Sequence, residues 1–574
     1  MYILHLLRSF VPSANPMGFG AADFVELAIA ALLIGAAVAA RSQFAATLEK
    51  LSRKTGWCML ILALLPIALR LALVPRFPIP EPAVSDDFSY ILAADTLRHL
   101  RLANPPHPFS AFFETFFVIQ QPTYSSIFPL GQAIVIAAGW TIFGHPWAGV
   151  AISVGALCAL TYWMLLGWTT ARWALVGGVL AVLQFGPLSQ WMNSYWGGAV
   201  SACAGCLVFG SLPRIRERGA VRDAALLGLG LGMQLATRPF ESLFLAAAVP
   251  LFFLPDLRSR EKFRRLAKLA LPAALALSPA MLLTLLHNHA VTGSWTTLPY
   301  ETSRYQYGVP TTFTTQANPT PHRELTAEQE LDYRAQSAVH GEETDTWARF
   351  WTRWAGRLRF YRFFLPAPLY LALLFFVPLA REYRHFFALA VAVLFSAGTN
   401  FYPYFYPHYI AAAACLILLM AVAGLRRLSQ VRIRGFHSGA DAARLLLALC
   451  GANFLFWYGL HFSRDEGLLN AMTPYETWDA INHGDPQGRI AIARRLSSEP
   501  GPQLVFVRYA PRHTFDEWVH NGADIDGSRV VWARDQGPSE NQKLLRLYPQ
   551  RKAWLIEPDQ RPPALTPYAD VVSR

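Results

Sequence analysis

The sequence predicts a polytopic α-helical membrane protein with about 11 to 13 membrane helices and a small C-terminal α/β domain. Two observations support this prediction. First, 53% of the 574 residues are apolar and only 15% are charged, whereas soluble domains average about 25% charged residues. Second, residues 462–574 have the composition of an ordinary soluble protein. The chain before them is therefore more apolar than the average suggests.

Apolar segments recur along the chain before that tail. A spanning helix needs roughly 20 mostly apolar residues, and several of the segments are shorter. The first is expected to remain as an anchor, since residues 1–20 lack the pattern of a removable signal peptide. The segments are 22–41, 57–76, 126–143, 147–167, 172–187, 198–212, 223–237, 239–255, 268–288, 359–379, 385–399, 409–424 and 442–461.

The connectors between these segments predict the orientation. Lys and Arg collect in cytoplasmic loops, so the basic connectors are assigned to the cytoplasm: 214–222, 258–268, 381–384 and 426–434. The alternating connectors are then external: 190–198, 238–241, 289–358, 401–409 and the tail. The basic linker 41–54 and Arg172 both have a cytoplasmic signature, yet three candidate spans separate them. One segment between 57 and 172 therefore does not cross, and we expect it to be 126–143 or its neighbour.

These patterns divide the chain into three parts. Residues 1–56 form an extra N-terminal membrane segment with a cytoplasmic linker, and residues 57–461 form the membrane body. Two long external loops, 77–125 and 289–358, interrupt the body, and long loops without a domain of their own are usually functional. Residues 462–574 form an external α/β domain with strands expected at 503–507, 529–532 and 553–556.

Charge and cysteine content exclude two other classes of protein. The net charge of +12 could indicate a nucleic-acid-binding protein, but the basic residues lie in short clusters between apolar runs. We therefore expect no nucleic-acid partner. All six cysteines lie in apolar segments, so no extracellular disulfide framework is predicted.

The first long loop begins with an acidic pair, Asp86 and Asp87, just beyond a membrane segment. Two adjacent carboxylates can supply a general base and a neighbour that orients it or holds a cation, because nearby charges split their pKa values. The alternative is a helix cap, since Ser85 and Asp86 precede an apolar-periodic run. His107 lies further along this loop and could bind a phosphate, although a lone loop histidine often has no such role.

A second charged feature, Arg238 with Glu241, lies between two apolar segments. An arginine near the bilayer marks a functional site by default, and its planar fork suits a phosphate. The alternative is an interfacial ion pair at i,i+3 spacing. Tyr195 and Trp196 lie on the same predicted side and could stack on a sugar ring, although interfacial anchoring also explains them.

The remaining candidate binding residues lie in external segments. Tyr300 and Arg304 follow the start of the second long loop, and His408 ends an aromatic external turn that could approach the same cavity. Two histidines, His287 and His289, have i,i+2 spacing without a partner motif and give little support for a metal site.

The order of these features resembles the GT-C superfamily of membrane glycosyltransferases over roughly residues 57–461. The branch it most resembles contains protein O-mannosyltransferases and bacterial lipid A aminoarabinose transferases. The resemblance is seen in the span followed by the external pair Asp86-Asp87, the later long loop and the C-terminal domain. It extends to 86–107, 288–307, Tyr195-Trp196-Gly197-Gly198 and Arg238-Pro239.

The resemblance implies a GT-C-like body that transfers a single sugar from a polyprenyl-phosphate donor to an acceptor hydroxyl, usually with inversion. The site would face the periplasm of a bacterial inner membrane, and the acceptor would be a glycan, lipid or protein. Asp86 or Asp87 would act as the base and Arg238 as a phosphate ligand. The family's second acidic site has no clear match here. Metal dependence therefore stays open, with a divalent cation as one alternative. Two other functions stay open: a transporter or flippase of lipid-linked saccharides, and a noncatalytic envelope scaffold.

Overall fold

The computed structural model describes most of the chain. The described residues are 21–39, 49–52, 54–82, 84–341, 344–432, 438–462, 488–511, 513 and 517–569. Residues 1–20, most of the linker 41–54 and the predicted start of the C-terminal domain at 463–487 lie outside the described residues.

Helices dominate the described chain up to residue 462. They are α1 (Ala21–Ala39), α2 (Thr55–Ala72), α3 (Ser85–Arg98), α4 (Leu130–Phe143), α5 (Trp147–Leu166), α6 (Ala171–Phe185), α7 (Gln190–Asn193), α8 (Ala199–Glu217), α9 (Val221–Thr237), α10 (Pro239–Phe253), α11 (Arg260–Thr292), α12 (Pro299–Tyr307), α13 (Ala327–His340), α14 (Trp347–Arg357), α15 (Leu369–Phe376), α16 (Tyr383–Thr399), α17 (Ala414–Ser429) and α18 (Ser438–Phe462). Short 3₁₀ helices flank α15 and precede α17.

Each of the predicted apolar segments overlaps one of these helices. By length and composition alone, five helical stretches of the described chain could cross a membrane: 55–72, 147–166, 260–292, 407–429 and 438–462. The helix α17 lies in the middle of the bundle with almost all its residues buried, whereas α11 lies at the edge. Leu271 and Leu275 of α11 are 65% and 63% exposed. Such an outward-facing apolar helix suits contact with lipid, and the predicted polytopic helical architecture is confirmed.

Contacts between helices show which ends lie together. Cys203 of α8 donates to the carbonyl of Ser153 in α5 at 3.6 Å, and Arg214 donates to the carbonyl of Trp163 at 2.7 Å. The two helices therefore run parallel. A short turn joins α8 to α9, which returns antiparallel. The starts of α5 and α8 and the end of α9 consequently share the predicted external side.

The helix α4 lies across this external side. Near its start, a Cβ on Gly131 would overlap Thr237 at the end of α9. Near its end, a Cβ on Gly139 would overlap the backbone of Gly149 at the start of α5. Glycine is therefore required for both close approaches. Fourteen residues span about 21 Å, and both ends of α4 lie at one end of the bundle. This geometry favours 126–143 as the segment that does not cross.

The C-terminal domain contains a four-stranded sheet. Its strands are β3 (Gln503–Val507), β4 (Val530–Arg534), β5 (Lys552–Glu557) and β6 (Ala564–Pro567), in the order β4-β3-β5-β6. The first three are parallel and β6 is antiparallel to β5. Helices α19 (Arg489–Ser498) and α20 (Pro538–Leu547) complete the domain. The three predicted strands are confirmed, and β6 is an additional strand that the sequence pattern did not indicate.

The first long loop joins this domain to the membrane body. The loop holds α3, a 3₁₀ helix at Ser110–Phe113 and the short pair β1 (Val118–Ile119) and β2 (Ser125–Ser126). Leu92 of α3 and the 3₁₀-helix residues Phe112 and Phe113 lie in one buried apolar cluster. Leu504 of β3 belongs to the same cluster. The C-terminal domain therefore packs directly on the loop that carries the acidic pair.

Candidate functional site

The acidic pair lies in the first turn of α3. The cap position belongs to Val84, which is extended and makes no side-chain capping bond, and Ser85 is the first helical residue. Ser85 and Asp86 therefore do not form the cap that the alternative interpretation required, and Asp86 and Asp87 both lie in the first turn. Their charges still suit this position, because the N-terminus of a helix is partially positive.

Asp87 is buried and makes a structural contact with a distant part of the chain. Its side chain is 2% exposed, and its Oδ1 accepts a hydrogen bond of 2.7 Å from the backbone amide of Tyr195. The Tyr195 hydroxyl in turn donates to the carbonyl of Pro80 at 2.8 Å. These bonds tie α3 to the external turn after α7. Tyr195 is buried, and its hydroxyl is already used in this structural contact.

Asp86 is half-buried and faces other charged groups. Burial, together with the negative charges of Asp87 and Asp332, raises the pKa of Asp86 to about 7, while its own backbone amide and Arg238 act in the opposite direction. Within the described chain, only its own backbone amide donates a hydrogen bond to this carboxylate. A carboxylate in this state can accept a proton near neutral pH.

Arg238 lies between α9 and α10, opposite Asp86. Its Nη1 is 3.4 Å from Oε1 of Glu241, and its Cζ lies 4.8 Å from the centre of the Tyr409 ring. Its side chain is 14% exposed. A guanidinium has five N–H donors, and this long contact uses one of them. The remaining donors can bind an anion such as a phosphate.

Aromatic side chains line the same cluster. The Trp196 ring lies 5.0 Å from His408 and 5.2 Å from Tyr406, with both partners presented edge-on. His408 also contacts Tyr409, the residue that stacks on Arg238, at 4.7 Å. Trp196 and His408 are thereby brought close to Arg238. Aromatic rings of this kind suit the apolar face of a sugar.

The second long loop supplies Tyr300 and Arg304. The Arg304 guanidinium lies 5.6 Å from the Tyr300 ring, and its Nε donates to the carbonyl of Pro310 at 3.1 Å. Burial raises the pKa of Tyr404 to about 12, and the charges of Arg304 and Asp86 both act on this hydroxyl. The two loops therefore meet at the same cluster.

Asp332 of α13 is a site residue that sequence reasoning missed. It is buried, and its two carboxylate oxygens each accept a hydrogen bond of 3.0 Å from Gln336. Gln336 also accepts a bond of 3.1 Å from the Tyr404 hydroxyl. Burial raises the pKa of Asp332 to about 6. Several other acidic residues lie in the same loop, and nothing in the sequence distinguished Asp332 from them.

His107 lies away from this cluster. Its Nε2 is 3.2 Å from the Tyr548 hydroxyl and 3.3 Å from Oδ1 of Asp526, both in the C-terminal domain. Its Nδ1 accepts a hydrogen bond from the Phe109 amide at 3.0 Å. The structure therefore places His107 at the contact between the first loop and the domain, rather than with Asp86.

The described residues do not form a metal site of their own. Among them, no group of three or more His, Cys, Asp or Glu side chains is arranged to hold an ion. Asp86 and Asp332 offer two carboxylates, fewer than the oxygen ligands that a divalent cation such as Ca²⁺ takes.

Comparisons with known proteins give structural likeness only. No protein-family model matches the chain, and no curated protein matches it. ArnT from Cupriavidus metallidurans in the apo state is similar with 13% identity and a TM-score of 0.48, covering 88% of this chain and 93% of ArnT. The undecaprenyl phosphate complex of ArnT gives 12% identity and a TM-score of 0.46 over the same shares.

The oligosaccharyltransferase of Archaeoglobus fulgidus in complex with Zn and sulfate is also similar. It has 11% identity and a TM-score of 0.47, covering 87% of this chain and 67% of that enzyme. All three TM-scores are below 0.5. The likeness therefore assigns no function, and the proposal below depends on the side chains of this chain.

Proposed function

We propose that this protein is an integral-membrane glycosyltransferase that moves a single sugar from a polyprenyl-phosphate donor to an acceptor hydroxyl. Asp86 acts as the general base. The observation that supports this most is the pairing of a half-buried carboxylate, free of hydrogen bonds from other described residues, with a sparsely bonded arginine. One group can take a proton and the other can bind a phosphate.

The reaction uses these two groups on opposite sides of the sugar. Asp86 accepts the proton of the acceptor hydroxyl while that oxygen forms a bond to the anomeric carbon. The bond between the anomeric carbon and the phosphate oxygen breaks, and the phosphate leaves with the electron pair. Arg238 stabilises the negative charge that develops there. The acceptor leaves glycosylated with inverted configuration, together with polyprenyl phosphate.

The surrounding residues have supporting roles. Asp87 fixes the start of α3 through Tyr195, so Asp86 is held at the cluster. Glu241 orients the guanidinium of Arg238. Trp196 and His408 form an aromatic wall for the sugar, while Tyr300 and Arg304 bring the second loop to the acceptor side. His107 takes no part in binding here and instead contacts the C-terminal domain.

The site belongs to the external face of a bacterial inner membrane. The positions of the basic connectors support this orientation, because they predict that Arg238 and both long loops lie on the side opposite the cytoplasm. The acceptor is a glycan, lipid or protein of the cell envelope, and the flanking lipids hold the isoprenyl tail of the donor.

Sugar transfer in membranes tests this proposal. Membranes of a strain that lacks the protein supply the acceptors, and synthetic undecaprenyl-phosphate hexoses and pentoses with a tritiated sugar serve as probes. Wild-type protein should move label from the lipid to an acceptor fraction. Asp86→Asn should abolish transfer, Asp87→Asn should reduce it, and the exposed control Glu540→Gln should not change it. Wild-type transfer by Asp86→Asn would overturn the role of Asp86 as the base, and wild-type transfer by both Asp86→Asn and Asp87→Asn would overturn the proposal as a whole.

A further inference from the structure

The C-terminal domain contacts both helices that carry the acidic residues of the site. These helices are α3, with Asp86 in its first turn, and α13, in which Asp332 lies one turn after Glu328. They come from different long loops, and more than 200 residues separate the two helices in sequence. Their relative position therefore depends on contacts outside either loop.

On α13, the contact is a buried ion pair. Arg534, at the end of β4, donates through Nη2 to Glu328 in the first turn of α13. Its Nη1 donates to Glu517 at 3.1 Å. The side chain of Arg534 is 13% exposed, and those of Glu328 and Glu517 are 8% and 0% exposed. One guanidinium thus joins the domain to α13 between two buried carboxylates.

On α3, a short segment that starts at Glu517 makes the contacts. The His520 ring stacks on Phe88, two residues after Asp86, with centroids 4.1 Å apart and planes 8° apart. The amide of Ala523 donates to Oδ2 of Asp95 in the last turns of α3 at 2.8 Å. The segment 517–523 therefore holds α3 at both ends.

The segment and β4 form one unit. The side chain of Asn521 donates to the carbonyl of Trp532 at 2.8 Å and accepts from the Trp532 amide at 2.9 Å. The Glu517 carboxylate also accepts a hydrogen bond from the Tyr509 hydroxyl. It accepts two more from the backbone amides of Trp518 at 3.0 Å and Val519 at 3.1 Å. Its carboxylate is thus fixed on several sides. A displacement of Arg534 would be transmitted to both helices.

We infer that Arg534 and the segment 517–523 form a clamp that sets the position of the Asp86 helix relative to the Asp332 helix, with Arg534 as its principal positioning residue. This inference rests on the proposed function only for its catalytic consequence. The contacts themselves are independent of which reaction the site performs.

Hydrogen exchange and donor kinetics on the full chain in lipid nanodiscs test the clamp separately. The variants are Arg534→Gln, Arg534→Lys and the matched control Arg334→Gln, which breaks an exposed ion pair with Glu330 on the same helix. Arg534→Gln should increase amide exchange in 327–340 by at least about tenfold, with a smaller increase in 85–98. Arg534→Lys should restore part of the protection, and the control should match the wild type.

The kinetic experiment measures transfer from the tritiated donor. A positioning role predicts that Arg534→Gln lowers kcat by about tenfold or more while KM for the donor changes little. A purely structural contact would instead leave the kcat of the folded fraction unchanged. His520→Leu, which keeps bulk but loses the aromatic stack, provides a second variant if Arg534→Gln does not fold. It should increase exchange in 85–98.

The two experiments separate the two proposals. Unchanged exchange in 327–340 for Arg534→Gln, or in 85–98 for a folded His520→Leu, would overturn the clamp. Altered exchange with unchanged kcat would overturn the positioning role. If the variants show the expected increases in amide exchange but the wild-type protein transfers no sugar, the proposed function is contradicted and the clamp is still supported.

Discussion

The predicted external side of the protein holds two clusters that combine carboxylates with arginines. The first is centred on Glu114 in the first long loop. Its Oε2 accepts bonds from the Tyr307 hydroxyl at 3.0 Å and from Gln329 at 3.1 Å, and its Oε1 pairs with Arg323. Arg323 also donates to the Tyr307 hydroxyl at 2.9 Å. Every oxygen of this carboxylate has a partner.

The second cluster contains Asp86 and Arg238 and is satisfied far less well. Among the described residues, Asp86 accepts a hydrogen bond only from its own amide, and Arg238 makes one side-chain hydrogen bond, a long one of 3.4 Å to Glu241. Both clusters join distant parts of the chain. Charged groups with few hydrogen bonds are costly in a folded protein. The presence of two such groups in the Asp86 cluster therefore indicates a site in which a ligand supplies the missing partners. The fully bonded Glu114 cluster indicates a structural joint.

Asp86→Asn should have the largest effect on activity. The amide cannot take the acceptor proton, and loss of a general base typically costs about 10²–10⁴-fold in rate. The pKa of Asp86 in the folded protein, about 7, is above its ordinary value of 3.8, so its contribution to stability falls as pH rises from about 4 to 7. We therefore expect the variant to be at least as stable as the wild type at pH 8, as measured by thermal unfolding.

Asp86→Glu provides the control for that substitution. It keeps the carboxylate but moves it, so partial activity is expected. If Asp86→Asn lost stability as well as activity, Asp86 would have a structural role like that of Glu114, and the two clusters would not differ in kind.

Arg238→Gln should have the next largest effect. Loss of one group that stabilises developing charge costs about 10²–10³-fold in rate, and binding of the proposed product, a polyprenyl phosphate, should weaken in the same variant. Titration of undecaprenyl phosphate by native mass spectrometry measures the binding. Arg222→Gln, at an exposed position in a predicted cytoplasmic turn, is the control. Equal affinity in all three proteins would exclude Arg238 as the phosphate ligand.

Glu114→Gln should show the opposite behaviour, with lower stability and retained chemistry. Glutamine keeps part of the hydrogen bonding but leaves Arg323 without its buried counter-charge. Breaking a buried pair by removing one partner costs several kcal/mol. Because Arg323 is about one-third exposed, we expect about 2 kcal/mol in denaturant unfolding. The exposed control Glu330→Gln should change stability by less than about 0.5 kcal/mol. A loss of kcat in the folded Glu114→Gln protein would contradict a purely structural role.

Local sequence patterns could predict the helical segments, three strands and the candidates Asp86 and Arg238. Apolar length fixes a membrane helix, and alternating β-branched residues fix strands such as 503–507. A charged residue next to an apolar segment is conspicuous because its surroundings are not charged. The different roles of Asp86 and Asp87 could not be predicted. They depend on the direction of each side chain from α3 and on the Tyr195 amide, 108 residues away.

Residues whose partners are distant in sequence were missed for the same reason. Asp332 lies in an acidic loop, and only burial beside Gln336 and Tyr404 distinguishes it. Arg534 is one of many arginines in the chain until the fold brings it to Glu328. The path of α4 also depends on tertiary contacts, because apolarity alone cannot show that Gly131 and Gly139 meet helix ends on one side.

The pH dependence of transfer gives the smallest and most specific test of the Asp86 cluster. Asp86 must be deprotonated to act as the base, so kcat/KM should rise with pH through about 7. The charged groups that act on it are Asp87, Asp332 and Arg238. Asp332→Asn removes a negative charge that raises the pKa of Asp86. The rising limb of its pH profile should therefore move to lower pH than in the wild type.

The opposite shift is expected when the positive charge is removed. Arg238 lowers the pKa of Asp86, so the residual activity of Arg238→Gln should rise at higher pH than that of the wild type. Glu540→Gln, an exposed change in α20, should leave the profile in place. If the rising limb of the pH profile lies at the same pH in the wild type, Asp332→Asn and Arg238→Gln, the titrating base is not Asp86. Opposite shifts in the two variants identify the base by sign alone, because a general loss of stability would not move the limb in two directions.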